Sequence, residues 1–89
     1  QKLSAVFKKH PQIQKVLLYG SRAKGNFRPG SDIDLTIITQ NLSLTEFLQI
    51  ETEIEDLELA YKVDLSIFSQ IENVDLVDHI KRIGIPFYP

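Results

Sequence analysis

Cysteine is absent from the 89 residues, which excludes disulfides and thiolate metal sites. No run of 18 apolar residues occurs, so no helix is expected to span a membrane, and no secretory leader is visible. A cytoplasmic location is the default expectation. An initiator Met is missing too, which leaves room for residues upstream of Gln1. Acidic side chains are missing from residues 1–30, which hold seven Lys or Arg. Residues 31–89 hold all 12 acids and three bases, so the net charge of −2 conceals an asymmetry. A basic stretch attracts polyanions. Direct nucleic-acid binding is nonetheless disfavoured, because the chain as a whole is acidic and lacks a basic groove studded with aromatics.

What is present suits one small domain over residues 1–89, burying roughly 60–65% of its unfolded surface. Apolar residues make up 43%, an ordinary value for a globular chain. No internal repeat, linker or low-complexity segment interrupts it.

The most informative stretch begins with Val16-Leu17-Leu18-Tyr19, an apolar run that reads as a buried strand. Gly20 then permits a sharp turn and close backbone approach to a ligand. Ser21 can cap a short helix begun by Arg22-Ala23-Lys24. A helix start aims free N–H groups and a positive dipole end outward, which is a ready anion site. Arg22, Lys24 and Arg28 can add positive charge there, although each also fits a solvated loop. The turn-rich loop Gly25 to Gly30 leads through Ser31 into Asp32-Ile33-Asp34-Leu35-Thr36-Ile37-Ile38, a strand by its β-branched content. Alternation sends Ile33, Leu35 and Ile37 into the core. Asp32 and Asp34 then share the opposite face, roughly 6.5–7 Å apart at the backbone. Such carboxylates suit one or two divalent cations, since hard ions such as Mg²⁺ take oxygen ligands and share them with substrate phosphates. Lys62-Val63-Asp64-Leu65-Ser66-Ile67-Phe68 is a further alternating strand whose Asp64 joins the first two acids if the strands are neighbours. Each piece alone is ordinary: a turn and cap, a solvated strand end, one acid on an amphipathic strand. Gly-Ser, ten residues, then Asp-x-Asp together should arise by chance in on the order of one chain in a thousand of this length.

These residues resemble a known family. Tyr19-Gly20-Ser21-Arg22-Ala23-x-Gly25, followed by Ser31-Asp32-Ile33-Asp34-Leu35 and the later Asp64, is similar to the minimal nucleotidyltransferases of the DNA polymerase beta superfamily. The likeness runs from about Ile13 to Phe68. It implies metal ligation by Asp32, Asp34 and Asp64, and triphosphate contact by Gly20 and Ser21. Arg22, Arg28 and Ser31 are further candidates for the nucleotide. The implied cofactor is Mg²⁺, two ions, with ATP as substrate. The family also implies a frequent partner, a small helical HEPN toxin that the nucleotidyltransferase adenylylates as its antitoxin. Two rivals stand beside that expectation: an enzyme acting on a small-molecule hydroxyl, as antibiotic nucleotidyltransferases do, and a non-catalytic module binding nucleotide or protein.

The rest of the chain predicts an α/β (α+β) fold, a small mixed sheet of about three strands with packed helices. Leu3, Val6 and Phe7 predict a first helix ending before Pro11, and the strands are expected at Ile13–Tyr19, Asp32–Thr39 and Lys62–Phe68. Ser43 with Glu46 reads as a capping box opening a helix whose stripe is Leu44, Phe47, Ile50, Ile54, Leu57 and Tyr61. That helix also carries Glu46, Glu51, Glu53, Glu55, Asp56 and Glu58, a solvated face or a docking surface for a basic partner. Ser69 with Glu72 predicts a second capping box, opening a last helix that stops at Gly84 and Pro86. His10 and His79 read as surface or capping residues, and Tyr19 as packing at a strand end.

Overall fold

The computed structural model of the chain describes residues 2–20 and 32–89. Its elements run α1 (Lys2–Lys8), β1 (Lys15–Tyr19), β2 (Ile33–Ile38), α2 (Leu44–Glu55), β3 (Val63–Ile67), a single 3₁₀ turn (Phe68–Gln70), α3 (Val74–Ile83) and β4 (Ile85–Tyr88). The strands form one mixed sheet in the order β3-β2-β1-β4. β1 pairs antiparallel with both β2 and β4, while β2 and β3 run parallel. None of the described helices is long and apolar enough to cross a membrane.

The main core forms where the alternating strands meet the first two helices. Val16, Ile33, Leu35, Ile37 and Leu65 from the sheet join Leu3, Val6 and Phe7 of α1 and Ile50 and Ile54 of α2. The expected split of β2 holds, with Ile33, Leu35 and Ile37 all buried. Phe7 is fully buried and meets Phe87 edge-on, with ring centroids 6.3 Å apart, and Tyr88 at 5.8 Å.

Among the described residues four strands replace the expected three. In sequence, Ile85-Pro86-Phe87-Tyr88 looks like a helix stop and not a strand, because Pro cannot continue a helix and cannot donate to a ladder. In place it is an edge strand, and its pairing with β1 shifts register between Val16 and Leu17. An edge position tolerates Pro86, and the rings of Phe87 and Tyr88 supply the packing. No local pattern reveals a strand whose reason is contact with a helix some eighty residues away.

The helix ends also differ. Ser43 caps α2 as expected, its hydroxyl accepting from the Glu46 N–H at 3.1 Å. The helix stops at Glu55, however, and does not carry the stripe on to Leu57 and Tyr61. Its last turn holds acids and no base, which opposes the negative end of the helix dipole. Glu58 then adopts a left-handed φ of 51°, which breaks the helical path. Leu44 heads the stripe on paper but is exposed, as is Leu48. The cap of α3 is Asn73, whose side-chain oxygen accepts from the Leu76 N–H at 3.1 Å. The expected Ser69–Glu72 box fails because Ser69 is taken into the 3₁₀ turn. Gly84 closes α3 as anticipated, donating to the Ile80 carbonyl at 2.7 Å.

His10 is not the surface residue that its sequence context suggests. It is 6% exposed, and its two ring nitrogens lie 3.0 Å from Glu46 Oε2 and 2.9 Å from Glu53 Oε1. Both nitrogens face carboxylates, so the protonated ring donates to both and clamps the end of α1 to α2. Burial alone would lower the His10 pKa, but the hydrogen bonds and charges of Glu53 and Glu46 raise it above the ordinary 6.5. The bond from His10 in turn lowers the Glu53 pKa from its ordinary 4.5. A raised histidine contributes fully below 6.5, and the contribution fades as pH climbs through the folded value. A lowered carboxylate contributes fully above 4.5 and fades as pH falls through its folded value. The clamp is therefore strongest between about pH 4.5 and 6.5. His10→Gln should cost about 1.5–3 kcal/mol there, the worth of hydrogen bonds between charged groups. Urea unfolding at pH 5.5 and pH 8.5 checks this: the gap between variant and wild type should narrow at the higher pH, and an equal gap at both would refute the charged clamp.

Candidate active site

The carboxylates are brought together by strand register. β2 and β3 lie side by side in parallel, with Asp34 directly beside Asp64. β1 flanks β2 on the other side and sets Tyr19 opposite Asp34. One row across the sheet therefore reads Asp64, Asp34, Tyr19, with neighbouring strands roughly 4.8 Å apart. Asp32 precedes Asp34 by two residues and shares its face, outside the first strand pair. Asp34 is half-buried, whereas Asp32 and Asp64 are exposed. The two strands are thus neighbours, and Asp64 stands beside Asp34.

Gly20 follows Tyr19 at the end of β1 with a φ of 83°, a left-handed conformation that L side chains rarely adopt. A β-carbon built there would collide with the Asp34 carboxylate. The glycine is needed, but the first obstacle to a side chain is this carboxylate and not only a bound ligand. Backbone and acid are pressed together at the mouth of the turn.

Below this row lies a second, which the sequence reading did not single out. Ser66 sits beside Thr36, two residues on from Asp64 and Asp34. The Ser66 hydroxyl donates to Thr36 Oγ1 at 2.9 Å, and Thr36 is fully buried. Tyr19 is 8% exposed and its phenol is hydrogen-bonded to Ser66. Burial raises the Tyr19 pKa first, opposed by that hydrogen bond and reinforced by the charges of Asp34 and Asp64. Tyr19 is thus part of the acidic face, with its hydroxyl tied beneath the carboxylates. The signal was available: Tyr19, Thr36 and Ser66 are polar residues at strand positions in phase with the acids.

Burial raises the Asp34 pKa, and Asp64 and then Asp32 raise it further by repulsion. Among the described residues no ion pair engages Asp32, Asp34 or Asp64. Nor do the described residues contain a cluster of three acids or imidazoles close enough to hold a metal ion. Two neighbouring carboxylates still match what Mg²⁺ asks of a protein, since it draws its remaining ligands from water and phosphate. Ser21, Arg22, Arg28 and Ser31, the other expected nucleotide contacts, lie outside the described residues, as does the short helix expected after Ser21.

Comparison with known proteins agrees with this geometry. No curated protein sequence shows a significant match. Among solved structures, one described as a toxin-antitoxin with AMP-PNP superposes with a TM-score of 0.77 at 20% identity, covering 96% of this chain and 68% of its own. A tyrosine-to-alanine variant of the toxin-antitoxin MntA-HpeT gives 0.73 at 20% identity, covering 93% and 66%. A double aspartate-to-glutamate variant of the same system gives 0.70 at 15%, covering 92% and 66%. The chain thus spans about two-thirds of the length of these neighbours, and at such identity the likeness is one of fold. The family described as polymerase beta nucleotidyltransferase matches residues 1–89, the whole of the chain. With its whole length matched by that family, the chain belongs to the polymerase beta nucleotidyltransferases.

Proposed function

We propose that this domain transfers a nucleoside monophosphate, AMP from ATP, to a hydroxyl on a partner protein, in the manner of an antitoxin that adenylylates a HEPN toxin. The observation that carries the reading is the register of Asp34 beside Asp64, with Gly20 folded over the inner carboxylate. It pairs a half-buried acid with an exposed one, which divides the labour of a transfer site.

Asp32, Asp34 and Asp64 would hold the divalent cations, which when bound neutralise triphosphate charge and lower the pKa of the attacking hydroxyl. The protein's own residues do the rest. The turn at Gly20 offers backbone close to the triphosphate, with Ser21 adding a hydroxyl donor. Asp64, exposed on the outermost strand, receives the acceptor's proton. The acceptor oxygen forms a bond to the α-phosphorus, the α–β bridging P–O bond breaks, and pyrophosphate leaves. Acceleration comes mainly from positioning and charge stabilisation, as in phosphoryl transfer generally. An open acidic face on a small domain suits a hydroxyl brought by another protein better than one enclosed in a pocket. The toxin-antitoxin origin of the structural neighbours supports that choice.

The test is intact mass spectrometry of the chain and its co-purified helical partner after incubation with ATP and Mg²⁺. The partner should gain one or more AMP units, and the gain should vanish with Asp64→Asn. An unmodified partner beside an efficiently labelled small-molecule alcohol would replace this reading with the antibiotic type. Absence of any transfer, with nucleotide bound, would leave a binding module.

A further inference from the structure

The sheet ends differently at its two edges. β4, on one side, is four residues long and contains Pro86. β3, on the other, contains no proline and is paired only with β2 among the described strands. The Ile33 N–H donates to the Lys62 carbonyl. In a parallel ladder that bond fixes the alternation: residues 62, 64 and 66 turn their backbone toward β2, and Val63, Leu65 and Ile67 turn theirs outward. An edge that no described strand covers is a template for another strand.

Beside that edge a cleft of about 510 Å³ opens between β3 and the end of α2. Ile54, Leu59, Val63 and Leu65 give it apolar walls, and Glu51, Glu55 and Glu58 bring acids to its lining. Lys62 is the one base among its lining residues. The cleft lies on the core-facing side of β3, where Val63 and Leu65 point, and Asp64 projects from the other face.

We propose that the β3 edge is the docking site of the acceptor segment: an extended, lysine- or arginine-bearing stretch of the partner adds as a fifth strand beside β3. The inference rests on the transfer reading above. A strand added there lies roughly 4.8 Å from β3, and its side chains alternate in phase with those of β3. Residues level with Val63 and Leu65 enter the cleft, where apolar parts meet its walls and cationic heads meet the glutamates. Residues level with Asp64 emerge on the acidic face. A hydroxyl at such a position stands next to Asp64, one strand further from Asp34. A Tyr, the longest hydroxyl side chain, spans most of that distance. The edge and the cleft carry the proposal, and the acids decide only the charge of the occupant. In the transfer, the Tyr oxygen bonds to the α-phosphorus of the nucleoside triphosphate, its proton passes to Asp64, and pyrophosphate departs.

The probe is a nine-residue peptide with Lys and Val at its even positions, Tyr in the centre and Gln at the remaining odd positions. The control has the same composition in scrambled order. With the intact chain, saturating probe should slow amide hydrogen exchange at Val63 and Leu65 at least tenfold, and the scrambled peptide should not. The combined variant Glu51→Lys, Glu55→Lys, Glu58→Lys should weaken probe binding at least tenfold while leaving ATP affinity unchanged. With ATP and Mg²⁺ the probe should gain one AMP on its Tyr. If ATP binds but those amides stay unprotected, or were already protected without peptide, the docking proposal is overturned and the transfer reading stands. Equal affinity of the charge-reversed variant overturns it too. If ATP itself does not bind, the transfer reading fails first.

Discussion

Asp34→Asn should cut transfer by about two to three orders of magnitude, and yet raise the thermal stability of the metal-free protein. The two effects share one cause. Burial and the flanking charges of Asp64 and Asp32 push the Asp34 carboxyl above its ordinary value of 3.8. A carboxylate whose pKa is raised on folding carries a penalty whenever it is ionised in the folded state. That penalty is full above the folded pKa, shrinks as pH falls through it, and is gone below the ordinary 3.8. Asn keeps the shape and removes the charge, so the variant should melt higher at pH 7 and converge with the wild type in acid. Each kcal/mol relieved raises the midpoint of a domain this size by about 4–8 °C. The charge that strains the fold is the charge that would neutralise a cation and position a phosphate, and losing a single preorganised electrostatic contact in an active site commonly costs about 10²–10³ in rate. Melting curves between pH 3.5 and 7 in a chelating buffer, with calorimetric titration of Mg²⁺ in the presence of ATP, measure both halves. Unchanged Mg²⁺ affinity in Asp34→Asn and Asp32→Asn would remove the carboxylates from the site.

Gly20→Val is expected to be the most damaging change in the turn. Two obstacles coincide at this position. The backbone φ of 83° is unfavourable for any residue with a β-carbon and worst for a branched one. The added carbon also meets the Asp34 carboxylate, which must move or rotate away. Backbone strain of this kind costs about 1–3 kcal/mol, and a displaced Asp34 compromises the row it belongs to. Nucleotide affinity should therefore fall about a hundredfold or more. Ser21→Ala removes one donor to a charged group, worth about 1.5–3 kcal/mol. Titration of a non-hydrolysable ATP analogue should rank wild type above Ser21→Ala, and Ser21→Ala above Gly20→Val. Wild-type affinity in a folded Gly20→Val protein would show that the turn serves the fold alone.

The site was legible in the sequence to the extent that it is local. Alternation along Ile33-Asp34-Leu35 forces the acid to the face opposite the core, whatever the strand packs against. Gly20 at the end of an apolar run points to a backbone that no other residue accommodates. Ser43 caps α2 because its partner N–H is three residues away, within reach before any tertiary contact forms. Those features, and the family to which they belong, follow from short spacings that the chain itself enforces.

Tertiary structure decided what depends on long separation. Asp64 becomes a neighbour of Asp34 because β3 runs parallel to β2 in a register that sequence spacing does not dictate. The fourth strand exists because Phe87 and Tyr88 find Phe7, and that contact outweighs the cost of Pro86 at an edge. His10 reads as a polar residue in a turn, and is buried and charged only because α2 sets Glu46 and Glu53 on either side of it. Tyr19 turns from a strand-end ring into part of the acidic face once Ser66, from a distant strand, meets its hydroxyl. In each case the energy comes from groups far apart in the chain, whose closeness is paid for by the collapse of the core as a whole and leaves no trace in any short window of residues.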